Sequence, residues 1–128
     1  MGQRHAEVAR LSLREAGLDG IATVLTGAAL DTLPTLEGPF DFVFIDADKV
    51  NNAAYVDHAV RLLHPGALVI VDNVVRQGRI LDPAADEAAR ATRALYDHVA
   101  AHPRLQATVL QTVGSKGWDG MLLARVSG

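Results

Sequence analysis

Two short apolar runs in this chain end on oxygen-bearing side chains. Phe42-Val43-Phe44-Ile45 runs into Asp46-Ala47-Asp48-Lys49, and Leu68-Val69-Ile70-Val71 runs into Asp72-Asn73. A buried parallel strand has this form when it delivers polar groups to its C-terminal end, where open α/β sheets bind ligands. Asp46, Asp72 and Asn73 would then offer two carboxylates and an amide, an all-oxygen set suited to a hard divalent cation. Mg²⁺ is the first expectation, with Mn²⁺ or Ca²⁺ as alternatives. A cation there would ease ionisation of a hydroxyl beside it. Lys49 could take the released proton if the ion's field favours its neutral form.

Each residue also has an ordinary role to set against this one. An aspartate at a strand end is often the N-cap of the next helix, and for Asp48 that role competes evenly with function. Asp72-Asn73 alone is a common turn pair. Lys49 alone reads as a solvated surface lysine. Only the pair of strand ends on one rim lifts the set above these readings.

The surrounding elements must form that rim. Residues 3–16 carry a helical pattern closed by Gly17. Ile21–Leu25 reads as a short strand, and residues 28–36 as a helical turn holding Pro34. Phe40–Ile45 is a strand, Asn51–Leu63 an amphipathic helix with Tyr55 and Ala59 on its apolar side, and His64-Pro65-Gly66 its stop. Ala67–Val71 is the second strand and Val74–Leu81 a loop. Asp82-Pro83 offers an N-cap and a first-turn proline. The helix that follows has Ala88, Thr92, Leu95 and Val99 as its stripe, with Pro103 beyond its end. Leu105, Ala107 and Val109 alternate as a strand, Gly114–Gly120 reads as a loop, and Met121–Val126 as a last strand. The order predicts an α/β fold with a C-terminal antiparallel hairpin.

Composition narrows the function classes. The chain has 128 residues, enough for a single domain over 1–128. Its net charge is −3 and no basic run stands out, so nothing favours nucleic acid. With no cysteine, disulfides and thiolate metal sites are excluded. No apolar stretch is long enough to span a bilayer. The N-terminus lacks a secretory apolar core, which leaves a cytoplasmic location as the default expectation. The five histidines, among them His64 and His98, show no metal-binding spacing. Ser12 and Ser115 lack the partners of a hydrolase triad.

Phe44-Ile45-Asp46-Ala47-Asp48-Lys49, then Tyr55, then Leu63-His64-Pro65-Gly66, then Val71-Asp72-Asn73-Val74 together resemble the cation-dependent class I O-methyltransferases. These are the S-adenosylmethionine enzymes related to catechol and caffeoyl-CoA O-methyltransferases. Gly114-Ser115-Lys116-Gly117-Trp118-Asp119-Gly120 fits the loop before their last strand. The resemblance implies a Rossmann-like methyltransferase sheet and assigns roles. Asp46, Asp72 and Asn73 match the metal ligands, and Lys49 matches the general base of the catechol enzymes. Gly27, Ala28 and Ala29 match a segment against the adenine of the cofactor, with Asp46 and Asp48 also on the cofactor side. Arg76 and Gln77 fall in the loop shaping the acceptor pocket. The implied reaction moves a methyl from a sulfonium to a small catechol-like or phenolic hydroxyl, largely through positioning and charge stabilisation.

Departures from the family carry their own expectations. No Gly-x-Gly precedes a helix, so the family's glycine-rich cofactor loop is not in the sequence. Ala28 stands where an acidic residue is usual, and a tyrosine common near Asn52 is missing. The chain therefore reads as an N-terminally truncated domain. Strands that would lie between Ile21–Leu25 and Phe40–Ile45 are lacking. An open strand edge recruits another chain, so we expect a homodimer or direct pairing of those two strands. An inactive remnant or dimerising subunit is the alternative. A phosphatase of the haloacid-dehalogenase type, suggested by Asp46-Ala47-Asp48-Lys49-Val50, is weaker, because Asp72-Asn73 makes a poor acidic pair.

Overall fold

The structure is a computed structural model that describes residues 2–82, 84, 86–115 and 117–128. The chain divides into two units, residues 1–36 and 37–128. The first holds helix α1 (Gln3–Glu15), a short helix α2 (Ala29–Thr32) and a 3₁₀ turn over Leu33–Thr35. Along α1 the least exposed side chains are Ala6, Ala9 and Leu13, which share one face at helical spacing. Past Gly17 (φ 69°) the chain turns, and Arg10 Nη2 donates to the Val24 carbonyl at 2.8 Å. The strand expected at Ile21–Leu25 does not form: residues 22–26 are irregular and Ile21 is 86% exposed. Its β-branched residues have no partner strand to supply ladder hydrogen bonds, and propensity alone does not hold a strand. The expected direct pairing of that segment with Phe40–Ile45 falls with it.

The second unit is a four-stranded sheet in the order β1-β2-β4-β3, with β1 at Phe40–Ile45, β2 at Leu63–Asp72, β3 at Leu105–Gly114 and β4 at Gly117–Val126. β1 and β2 are parallel; β4 runs antiparallel to both β2 and β3. The parallel pair needs a crossover, supplied by a 3₁₀ turn at Lys49–Asn51 and helix α3 (Asn52–Leu62). Helix α4 (Glu87–Ala101) leads from β2 to the hairpin.

Register decides what is buried. Val69, Val71, Leu122, Ala124 and Val126 share one sheet face with Ile45, and all are buried. Tyr55, Val56, Ala59 and Val60 of α3 and Ala89, Thr92, Leu95 and Val99 of α4 are buried as well. A wholly buried side chain such as Leu95 contributes about 1.5–3 kcal/mol. On the opposite face Phe42 and Phe44 are each 51% exposed and Leu68 42%.

Three boundaries differ from expectation. β2 begins at Leu63, because Leu63 pairs with Phe40 ahead of a register shift, so His64-Pro65-Gly66 lies inside the strand rather than ending α3 in a loop. Helix α4 starts at Glu87, where Asp86 accepts the Ala89 amide at 2.8 Å; Asp82 is not the cap, and Pro83 lies outside the described residues. The loop expected over Gly114–Gly120 is mostly ladder, with Gly114 paired to Gly117 and Gln111 to Gly120; Lys116 lies outside the described residues. Within this hairpin a Cβ on Gly120 would fall 2.4 Å from Val75 Cγ2 and 2.7 Å from the Leu110 carbonyl oxygen. Gly120→Ala is expected to cost about 1–3 kcal/mol by overpacking, read as a lower urea midpoint at unchanged slope.

Candidate active site

The parallel register aligns Ile45 with Val71, so Asp46 and Asp72 follow at the same level on adjacent strands. The two acidic tips share one rim, as the motif pair requires. Lys49, in the turn after β1, lies between them. Its Nζ is 3.4 Å from Asp46 Oδ1 and donates to the Asp72 carbonyl oxygen at 3.2 Å. The Lys49 side chain is only 11% exposed against 58% for Asp46. It is therefore no solvated surface lysine. A single cationic centre takes oxygens from both tips, and the space between them is electrostatically suited to positive charge. Asp72 is oriented by its own turn: Oδ1 accepts the Asn73 amide at 2.7 Å, and Asn73 is left-handed at φ 58°. Among the described residues no group of three His, Cys, Asp or Glu is arranged to hold a metal. The expected ligand set has only two carboxylates and completes itself with the Asn73 amide.

Asp48 opens the 3₁₀ turn at the N-cap position, yet its carboxylate caps nothing. It accepts from the Tyr55 hydroxyl at 2.6 Å and from Asn51 Nδ2 at 2.5 Å. Above all the Tyr55 hydrogen bond holds its carboxyl below the usual carboxylate range, and the same bond raises the Tyr55 phenol. Tyr55 is buried beneath the rim, as its place on α3 suggests.

The loop after β2 carries Arg76 and Gln77. Both are left-handed, at φ 52° and 55°, and Gly78 follows at 81°. Non-glycine residues in this region cost of order 1–3 kcal/mol each and persist only where surroundings over-determine them. Here Asp119 does so: its Oδ1 accepts the amides of Val75 (3.1 Å), Arg76 (2.8 Å) and Gly120 (2.9 Å). The Tyr96 hydroxyl donates to the Val74 carbonyl from α4. Arg76 Nε is buried without a hydrogen-bond partner among the described residues. Asp119, Tyr96 and Asn51 were not singled out from sequence. The Asp119-Gly120 pair was read as part of a loop, which hid its role as a backbone anchor.

Gly27, Ala28 and Ala29 belong to the unit of residues 1–36. They are exposed, Gly27 lies at φ 125°, and the Ala28 carbonyl starts α2 by accepting from Asp31 and Thr32. An exposed backbone with a glycine in this conformation allows close approach of a ligand. His64 and His98 bind Asp41 (2.9 Å) and Asp57 (2.7 Å), away from the acidic tips in sequence and in bonding.

With this geometry in place, comparison identifies the class. The sequence profile of the O-methyltransferase family matches residues 1–127, and the chain belongs to that family. It is 55% identical over 124 residues to a catechol O-methyltransferase of Mycobacterium tuberculosis, covering 96% of this chain and 56% of that protein. Among solved structures, an O-methyltransferase from Bacillus cereus in complex with SAH superposes with TM-score 0.93 at 45% identity, covering 98% of this chain and 60% of that one. TomG, an O-methyltransferase from Streptomyces achromogenes in complex with SAM and involved in tomaymycin synthesis, gives TM-score 0.93 at 42% identity, over 99% of this chain and 59% of its own. The fold is thus the Rossmann-like methyltransferase fold, here with a mixed sheet. The chain spans somewhat over half the length of these relatives. Among the described residues, no helix is long and apolar enough to cross a membrane.

The Tyr55–Asp48 bond generates a direct prediction. A carboxyl with a depressed folded pKa contributes stability above its unfolded value near ~3.9, and that contribution is lost as pH falls through the folded value. In Tyr55→Phe the Asp48 midpoint should move up toward the ordinary carboxylate range. The check is a ¹³C-carboxyl NMR titration; an unmoved midpoint would show that the hydroxyl is not the cause.

Proposed function

We propose that this chain forms the cation- and acceptor-binding portion of an S-adenosylmethionine-dependent O-methyltransferase acting on a small catechol-like or phenolic hydroxyl. The observation that carries the reading is the seating of Lys49 Nζ between the Asp46 and Asp72 tips. Asp46, Asp72 and Asn73 would hold a divalent cation, Mg²⁺ first, with Mn²⁺ or Ca²⁺ as alternatives; their hard oxygen donors fit such an ion. When bound, the cation supplies charge stabilisation for an ionised acceptor hydroxyl. The cofactor, when bound, supplies an activated methyl. Gly27, Ala28, Ala29, Asp46 and Asp48 are assigned to it, Asp48 as an acceptor kept ionised by Tyr55.

Within that frame Lys49 has the chemical role. Its Nζ, in the neutral form, would take the acceptor hydroxyl's proton and so ready that oxygen for the methyl that the cofactor would supply. Arg76 and Gln77 shape the acceptor side. The names of the relatives support the catechol class. Family membership removes the ground for a phosphatase. The cell compartment we assign is the cytoplasm.

Calorimetry with S-adenosylhomocysteine, with and without Mg²⁺, tests the reading. Micromolar binding is expected. Silence in both conditions would leave an inactive or purely dimerising chain and overturn it. Where the chain turns over, Lys49→Met should lower methyl transfer by about 10²–10⁴-fold while leaving S-adenosylhomocysteine binding intact.

Self-association stays a proposal alongside. Among the described residues β1 pairs only with β2, and Phe40, Phe42 and Phe44 are 41–51% exposed. A second copy meeting this edge would extend the ladder and cover the aromatic rings. Light scattering should return a dimer mass; a monodisperse monomer would sink this part.

A further inference from the structure

The loop carrying Asn73, Arg76 and Gln77 is held from outside itself. Three of its non-glycine residues, Asn73, Arg76 and Gln77, are left-handed. Nothing in their side-chain types favours this beyond the tolerance of asparagine. The hold comes from the start of β4. Asp119 Oδ1 takes the amides of Val75 and Arg76, both on the loop, and of Gly120 on its own strand. The Val74 amide donates to the Gly120 carbonyl at 3.0 Å.

Side-chain fit adds to this hold. A Cβ on Gly78 would lie 3.0 Å from the Trp118 ring, and one on Gly117 2.7 Å from the Gln77 amide nitrogen. The loop and the strand therefore meet with glycine on one side of each contact, a match of shape as well as of charge. Asn73, Trp118 and Asp119 also line one open pocket of about 370 Å³ with Thr112, Gly114, Ser115 and Gly117. The Tyr96 phenol, raised first by burial and then by the charge of Asp119, places that carboxylate beside the hydroxyl that holds Val74.

We infer that Asp119 is a positioning residue of the active site: its carboxylate, anchored on β4, sets the conformation of residues 73–77 and through it the placement of Asn73 for a divalent cation and of Arg76 and Gln77 for the acceptor. The cation part rests on the function proposed above; the hold on the loop does not. A charged acceptor shared by three amides is stronger than a neutral one, so a carboxylate is needed here and an amide of the same shape is a poor replacement.

The test uses the whole chain and three variants, Asp119→Asn, Asp119→Ala and Asp119→Glu, with amide hydrogen exchange and Mn²⁺ affinity as readouts. In Asp119→Asn, exchange at Val75 and Arg76 should speed by about tenfold or more, with amides of α3 unchanged. Mn²⁺ affinity should fall by about 10–100-fold, the range for residues that orient metal ligands. Asp119→Ala should do more of both, and Asp119→Glu should restore part of the Mn²⁺ affinity. A merely structural role would lower the urea midpoint while leaving Mn²⁺ affinity as in the parent, and that result overturns the inference. Unchanged protection at Val75 and Arg76 overturns it too. If Asp119→Ala does not fold, Asp119→Asn decides. Should the parent chain bind no Mn²⁺, the cation reading fails, and the exchange data alone decide whether Asp119 sets the loop.

Discussion

The parallel pairing of β1 with β2 is the constraint on which the rest depends. Phe42 to Ile45 lies in continuous register with Leu68 to Val71, so the next residue on each strand, Asp46 and Asp72, reaches the same rim. A shift of one residue would turn each side chain to the other face and separate the tips. The register is held by burial: Ile45, Val69 and Val71 lie on the buried face, with α3 packed against β1 and β2. Hydrophobic packing thus brings the Asp46 and Asp72 strand ends to one rim. Lys49 Nζ bridges these ends, meeting the Asp46 carboxylate and the Asp72 backbone carbonyl.

Around this pair the chain places its strained and polar features at one end of the sheet. Left-handed residues follow the Asp72 tip, and a carboxylate from β4 accepts the amides of Val75 and Arg76. Asp48 is held by two side-chain donors, Tyr55 and Asn51, whereas Asp119 holds the loop by accepting its backbone amides. The opposite sheet face is apolar and open at Phe42, Phe44 and Leu68. A run such as Phe42-Val43-Phe44-Ile45 is the kind that parallel sheets bury on both faces; here only the Val43–Ile45 side is packed beneath helices.

Legibility followed the strength of the local signal. β1 was readable to the residue, because Phe40–Ile45 sits between a Gly-Pro break and an acidic stop. α4 was readable in its stripe, though one residue off in Ala88, where Ala89 is the buried position. The start of α4 was misplaced because Asp82 and Asp86 are equally good caps by type, and only packing chose Asp86. Ile21–Leu25 had strand propensity without a strand to pair with. Gly114–Gly120 has turn-forming residues, yet most of it is held in the hairpin by ladder hydrogen bonds from Gln111–Gly114.

By its own order of residues, the chain determined the donor types at the rim, their ending of apolar runs, and membership in the O-methyltransferases, since all of these are local in sequence or shared with relatives. Folding decided which donors meet. Lys49 became a nearly buried bridge rather than a surface lysine, and Asp119 reached across more than forty positions to hold the Val75 and Arg76 amides. Such contacts depend on strand register and on the closure of the hairpin against the β2 loop, and neither is encoded at any single position.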